Sequence, residues 1–469
     1  MIYYLRWLGL FSVLLLFTTT GFGQVRKVVT YHDSLNQQVK EIYFVLPSDT
    51  VPHGKYQRFY RSGKLQGVGK FNNGKRDSVY TEYFDNGQKK LSITYADNLK
   101  QGPFVSYYAN GKVLQEGTYV NDKQSSIFKT FYETGKPKTE ASFVNDAPDG
   151  EVKEYYPDGT LKSAITYALN EQNGPARTFF PNGKINTESN FKNGMPDGMY
   201  KTYYDNGQLE SEALNINGKR SGTFKSYYRS GKLKSEITYK TVTITNSKEQ
   251  ARVATSIVTD RQAFQNKSTT SQIDGLAKTY YENGQLLSSI NYANGIKEGL
   301  AQYFYENGTL KQEIRYADAG TTQKIISYYP SGNPKEEQYL KQNVKAGDWR
   351  TFFDANKKIK TKEIYLDNKL EGERLVYFEN GQVQEKWPYQ KGRINGIAVQ
   401  YYPSGKVKTE TEYKIGLRNG FFKQYYEDGT PEVSGMYKNN KQSGIWKNFD
   451  QSGKTIKTTT YRNGQVVSE

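Results

Sequence analysis

The chain contains no cysteine and only two histidines, His32 and His53. No disulfide can brace the fold, and no thiolate chemistry is open to it. Tryptophan occurs four times, and one of these, Trp7, stands in the N-terminal leader. Beyond that leader no apolar run is long enough to suggest a membrane helix. Ordinary core formers are sparse as well. With glycine counted and tyrosine set aside, the apolar share is about 35%, below the ~45–50% of globular domains. A thick, leucine-rich core is excluded.

Tyrosine and glycine fill the gap, with 41 and 43 copies among 469 residues. So many aromatics argue against disorder, and tyrosine must supply much of the buried area. The first 23 residues, "MIYYLRWLGLFSVLLLFTTTGFG", place Arg6 ahead of an apolar run from Trp7 to Phe17, followed by Gly21 and Gly23. This pattern is expected to be a cleaved secretory signal, too short to span a bilayer. No cysteine follows it, so a lipoprotein is not expected. The chain is read as exported, to the periplasm or the cell surface. The formal charge is +17, of which Arg6 is one, leaving +16 beyond the leader. Such a balance favours anionic glycans, lipid headgroups or acidic proteins. Nucleic acid is not expected as a partner of an exported chain.

A glycine follows an aromatic pair at Gly63, Gly87, Gly111, Gly135, Gly159, Gly183, Gly207 and Gly231, always 24 residues apart. The series resumes at Gly284, Gly308 and Gly332, with Asn356 in the next slot. One extra residue then shifts it to Gly381, Gly405, Gly429 and Gly453. That makes sixteen copies of a unit reading G-x-x-x-x-Y-Y-x-N-G-x-L-x-x-E-x-x-Y-x-N-G. Periods of this length mean a repeat array. The N-G and D-G pairs mark tight turns, and the segments between them are short and rich in Tyr, Phe, Thr and Ile, as strands are. No 3.6-residue periodicity survives beyond the leader. The expected fold is all-β: an elongated single-layer antiparallel array of hairpins, on the order of 150 Å long at ~4.8 Å per strand, twisted and curled over its apolar face.

Five segments follow from this reading. Residues 1–23 form the signal and 24–53 a cap, with "KEIYFVL" covering the sheet edge. Residues 54–239 hold a first block of eight repeats and 275–469 a second. Between them, 240–274 is either a hairpin extension or a degenerate repeat.

Alternation assigns faces, taking the copy at 222–239 as reference. Leu233, Ile237 and Tyr239 are expected on an apolar face with Phe224 and Tyr228. Lys225, Tyr227, Lys234, Glu236 and Thr238 are expected on a polar face. The slot of Lys225 is basic in nine copies, including Lys153, Lys201, Lys225, Lys278 and Lys423. An aromatic stands in the slot of Tyr227 in all sixteen, including Tyr83, Tyr107, Tyr155, Tyr203, Tyr227, Tyr280, Tyr328, Tyr377, Tyr401 and Tyr425. These tyrosines and lysines form the candidate binding row, in which ring faces meet sugars or a partner while lysines draw in anions. The same regularity also fits rings packed beneath neighbouring lysine stems. A specific site is better sought where copies disagree: at Asn215, Asn356, Arg374, the insertion, or "EKWPYQKG", whose Trp387 reads as an exposed aromatic beside Pro388.

The unit resembles the MORN repeat (membrane occupation and recognition nexus) in its bacterial variant class, over roughly residues 54–464. The resemblance implies stacked β-hairpins serving as a scaffold or interaction surface, in some cases toward acidic phospholipids. Proteins of the variant class are often labelled antitoxin-like, a role that the expected signal disfavours. A lesser likeness is to choline- or glucan-binding repeats, which lean on tryptophan and run nearer 20 residues.

No G-x-S-x-G, P-loop, H-E-x-x-H or C-x-x-C pattern occurs. The series Glu116, Glu140, Glu188, Glu212, Glu236, Glu313, Glu337 and Glu410 occupies one slot of successive copies. Equivalent carboxylates in a ladder suit cross-strand pairing with lysine, not the matched unlike pair that a glycosidase needs. No enzyme, cofactor or metal is expected. The function expected is a non-catalytic scaffold holding a protein partner in the cell envelope, with binding of envelope glycans or acidic lipids as the alternative.

Overall fold

The computed structural model describes residues 25–245 and 267–469. The expected signal, 1–23, and the middle of the 240–274 segment lie outside these residues. Among the described residues there is no helix. The chain divides into two compact units, 1–219 and 220–469. Each is an antiparallel sheet in which strands pair with their neighbours in sequence. In the first unit, Arg26–Tyr31 pairs with Val39–Val45, which pairs in turn with Pro52–Phe59. In the second, Gln465–Ser468 pairs with Thr455–Arg462. No pairing links either of these end strands to any other among the described residues, so each sheet stays an open single layer.

Two kinds of turn alternate along the chain. The Y-x-N-G turn is a three-residue loop: Gly231 N–H donates to Tyr228 O at 2.8 Å, and Tyr228 N–H to Lys232 O at 2.8 Å. Only its glycine needs the left-handed region, with φ of 85° at Gly231. The second turn has two central residues at positive φ, as in Asn73 (47°) and Gly74 (79°). This mirror-image turn matches the twist of the strands it joins, and the asparagine-rich sequence there tolerates it.

Each hairpin also carries a bulge that corrects the alternation reading. Ser226 opposes Ser235, but Tyr227 opposes Leu233, so Lys234 is the extra residue. Facing residues share a side, and Leu233 therefore joins Tyr227 on the Lys/Glu face. Lys234 moves to the other face, where its Nζ lies 5.6 Å from the Tyr228 ring. Strict period-2 alternation cannot foresee an inserted residue.

The apolar face is a ladder of two interleaved slots, those of Phe224 and Ile237. Its most buried members include Tyr80, Ile93, Phe128, Ala176, Ala213, Ala301, Ile314, Trp349 and Trp446. Sizes are complementary across neighbouring hairpins. A Cβ on Gly117 would meet the Phe128 ring at 2.4 Å, and one on Gly435 would meet Trp446 at 2.2 Å. Where the Phe224 slot holds Ala301 instead, Ile290 and Ile314 fill the space beside it. Rings of the Tyr239 slot bridge the ladder: Tyr119 meets Phe104 at 5.6 Å and Phe128 at 5.4 Å, and Tyr437 meets Phe422 at 5.9 Å and Trp446 at 5.1 Å. Cations complete this cover, with Arg76 over Tyr80 and Tyr95, and Arg418 over Tyr437.

Around the insertion, Leu233–Thr245 and Lys267–Tyr280 form one long antiparallel pair, from Ser235 opposite Thr279 to Thr245 opposite Lys267. The repeat ladder continues past it, because Tyr228 Oη reaches Tyr280 O at 2.7 Å.

Candidate binding surface

The strands set three rows across the Lys/Glu face. The candidate tyrosines form the first, and all of them are half-buried: Tyr83, Tyr107, Tyr155, Tyr203, Tyr227, Tyr280, Tyr328, Tyr377, Tyr401 and Tyr425. The bulge explains why. It brings an aliphatic residue opposite most of these rings, as in Tyr107 with Val113, Tyr203 with Leu209 and Tyr280 with Leu286. The hydroxyls meet the glutamate slot of the preceding hairpin. Tyr203 Oη donates to Glu188 Oε2 at 2.7 Å, and Tyr425 Oη to Glu410 Oε2 at 3.0 Å. Burial and then the Glu188 hydrogen bond push the Tyr203 phenol up to about 12. Tyr280, Tyr328 and Tyr425 are raised too, burial leading in each. These phenols remain protonated donors at neutral pH.

The second row is the lysine slot. Lys153, Lys201, Lys225 and Lys278 are half-buried and Lys423 is exposed. Register sets each between glutamates wherever both neighbouring slots hold one: Lys201 faces Glu188 on one side and Glu212 on the other. Lys225 Nζ lies 3.8 Å from Glu236, and Arg177 Nε 3.2 Å from Glu188. Opposite charges alternate here, so the row is not a uniform basic strip. Around Tyr401 the face opens into a recess of about 600 Å³ lined by Glu373, Leu375, Val383 and Lys386.

The third row, in the slots of Thr223 and Thr238, escaped the sequence reading. It exposes large apolar side chains, including Val79, Ile127 and Met199 in the first unit and Leu276, Ile397, Met436 and Ile445 in the second. Its signal was present as apolar residues recurring at 24-residue intervals, interrupted by charge at Glu151, Lys324, Asp348 and Glu373.

The best-kept residues of the unit are used in stacking. In at least ten places among the described residues the second tyrosine of the pair donates its hydroxyl to a carbonyl of the next hairpin, for example Tyr60 to Tyr83, Tyr132 to Tyr155, Tyr281 to Phe304 and Tyr426 to Phe449. The turn asparagine and lysine do likewise, with Asn110 Nδ2 on Glu133 O at 3.2 Å and Lys112 Nζ on Thr134 O at 2.6 Å. Near this edge of the apolar face, Tyr281, Leu287, Tyr303, Tyr305, Lys311 and Lys335 line a recess of about 270 Å³.

Of the departures from the repeat, two come together. Arg374 and Trp387 are cross-strand partners in the apolar ladder. Trp387 is half-buried rather than exposed, because it fills the Ile237 slot and meets Tyr413 edge-on at 6.0 Å. Its indole N–H donates to Glu385 at 2.9 Å. Arg374 pairs with Glu363 at 2.9 Å, and Glu363 also accepts from Tyr365 at 2.8 Å. Asn356 reaches the next turn through Glu379 O. The two histidines serve the backbone: His32 Nε2 lies 3.0 Å from Phe59 O, and His53 Nδ1 accepts from Asn73 N–H. Among the described residues no cluster of three His, Asp or Glu could hold a metal ion.

A family model described as "MORN repeat variant" matches residues 52–73, 100–121, 126–145, 148–168, 172–193, 196–215, 220–241, 273–294, 297–318, 370–391, 394–414, 418–439 and 442–468, more than half of the chain. No curated protein matches it. One solved structure aligned with 93% of the chain is titled "Crystal Structure of TcdB2-TccC3 without hypervariable C-terminal region", at 11% identity and a TM-score of 0.13. The alignment spans 26% of that chain, and so low a score carries no argument.

Proposed function

The chain belongs to the MORN repeat variant family, whose repeats are in general modules of protein and membrane interaction, and we propose that it is a non-catalytic scaffold of the cell envelope that holds a protein partner. One observation carries this reading: the repeated Tyr, Asn and Lys of the turn are engaged in hydrogen bonds between hairpins. What the repeat keeps constant builds the platform, and what it varies faces outward. Regular copies give many equivalent positions, which suits multivalent attachment better than a single reacting centre. Export is part of the proposal, supported by the apolar run from Trp7 to Phe17 behind Arg6.

The positive charge and the tyrosine-lined recess beneath Lys311 and Lys335 favour a second reading. In it the chain binds envelope glycans or acidic lipid headgroups.

Capture from a native envelope extract on the immobilised chain separates the two. The scaffold reading expects one protein retained near stoichiometrically through a high-salt wash. Glycan or lipid retained at low salt and released at high salt would favour the second, because exposed charges are screened.

A further inference from the structure

Within the second unit the third row is most continuous over the last three hairpins. Ile397, Phe421 and Ile445 occupy the same slot of consecutive copies, and Met436 stands opposite Phe421. Ile397 is 43% exposed, Ile445 58% and Met436 55%. Leu417, at the turn end of the central hairpin, is 42% exposed. Apolar side chains so placed on a surface otherwise built of Lys, Glu and Thr mark an interaction site.

The charges around this row are mixed with a positive balance: Lys423, Lys438, Lys441 and Lys447 stand against Glu410, which faces Lys423, and Glu412, which faces Ile397. Both carboxylates keep their charge but are oriented by neutral donors: Glu410 accepts from Tyr425, and Glu412 accepts from the Phe421 N–H at 3.3 Å while lying over Gly420. Lys423 holds its Nζ 5.4 Å from the Phe421 ring. Among the described residues neither it nor Lys438, Lys441 or Lys447 forms an ion pair. The strip is an apolar line on which lysines outnumber carboxylates by four to two.

The spacing of the line narrows the occupant. Consecutive copies of one slot are two strands apart, about 9.6 Å. Seven residues of α-helix rise about 10.5 Å and return to the same face. An extended strand returns every ~6.8 Å and falls out of step, whereas a polyproline-type chain, returning every ~9.3 Å, keeps step as a helix does but leaves its own backbone groups unpaired. The backbone groups of these sheet strands are already paired with neighbours on both sides. A partner that satisfies its own backbone, as a helix does, is therefore favoured.

We propose that the row Ile397, Phe421 and Ile445 docks an acidic amphipathic helix whose apolar residues recur every seven positions. This rests on the scaffold reading and names the kind of partner. The apolar contacts hold the complex, while the lysines steer and orient its approach.

The test uses the full chain and designed probes. One peptide of four heptads carries Leu at the first and fourth positions, with Glu and Ala elsewhere. A second has the same composition in an order without heptads, and a third is an acidic polyproline-type peptide of equal length. Binding is followed by fluorescence anisotropy. The heptad peptide is expected to bind at least about tenfold tighter than either control. Ile397→Ser with Ile445→Ser should abolish that preference while leaving the unfolding midpoint unchanged, because both side chains are exposed. Equal binding of the two helical sequences, tighter binding of the polyproline-type peptide, or a preference unaffected by the double substitution overturns the inference. If the double variant still captures the envelope protein through high salt, the helix strip fails and the scaffold stands. If the unaltered chain captures none, the scaffold reading itself fails.

Discussion

The hydroxyl of Tyr108 donates to the carbonyl of Phe131, 23 residues on, at 2.8 Å. This contact explains why the second aromatic of each pair is so often tyrosine. A phenylalanine there would fill the same space and leave the next hairpin unpinned. Tyr108→Phe should cost about 1 kcal/mol, the usual net worth of such a bond. Because neighbouring repeats carry most of an array's coupling, the loss should be local. Hydrogen exchange at amides of 108–135 should show protection lowered about fivefold, with distant hairpins unchanged. Uniform loss along the first unit would refute the local role.

Gly117 and Phe128 form a size-matched pair, since a Cβ on the glycine would reach the ring at 2.4 Å. Gly117→Ala should destabilise by about 1–3 kcal/mol, the range for overpacking. Combining it with Phe128→Leu, which withdraws the ring, should cost clearly less than the two single effects added. Denaturant midpoints decide this, and strict additivity would show that the ring and the glycine are not coupled.

The phenol of Tyr203 is pushed up to about 12 from its ordinary 10.0 by burial and then by the bond to Glu188. A raised acid contributes stability that is complete below pH 10 and is lost as pH climbs through about 12. Ultraviolet titration of the wild type minus Tyr203→Phe should isolate this midpoint. Glu188→Gln should lower it without returning it to the ordinary value, because burial persists. An unchanged midpoint would leave burial as the whole cause.

Arg374 breaks the apolar ladder and is matched by Glu363 at 2.9 Å. Either residue changed alone, as Arg374→Leu or Glu363→Leu, should destabilise by leaving a half-buried charge unpaired. The double change should be neutral or stabilising, as apolar replacement of such pairs often is. A double variant less stable than both singles would assign the pair a role beyond substitution for apolar contact.

Much of this architecture was legible in the sequence. The spacing of Gly63 through Gly453 gave the repeat, and alternation correctly put Tyr227 beside Lys225. It misplaced Leu233 and Lys234, because the bulge between them interrupts period-2 order without changing composition. The tyrosine–carbonyl bonds were hidden for another reason. A backbone acceptor one repeat away carries no side-chain identity that a sequence could display. Trp387 was misread for its neighbours, although its register with Ile237 was available all along.

The salt dependence of partner binding tests the central claim most directly. With the captured envelope protein titrated against the full chain at 0.1 and 1 M NaCl, as working values on either side of strong screening, the scaffold account predicts that affinity falls less than about tenfold, since apolar contacts hold the complex and charges mainly steer it. A fall of about a hundredfold or more, matched by competition from anionic glycan or acidic-lipid vesicles, would contradict it.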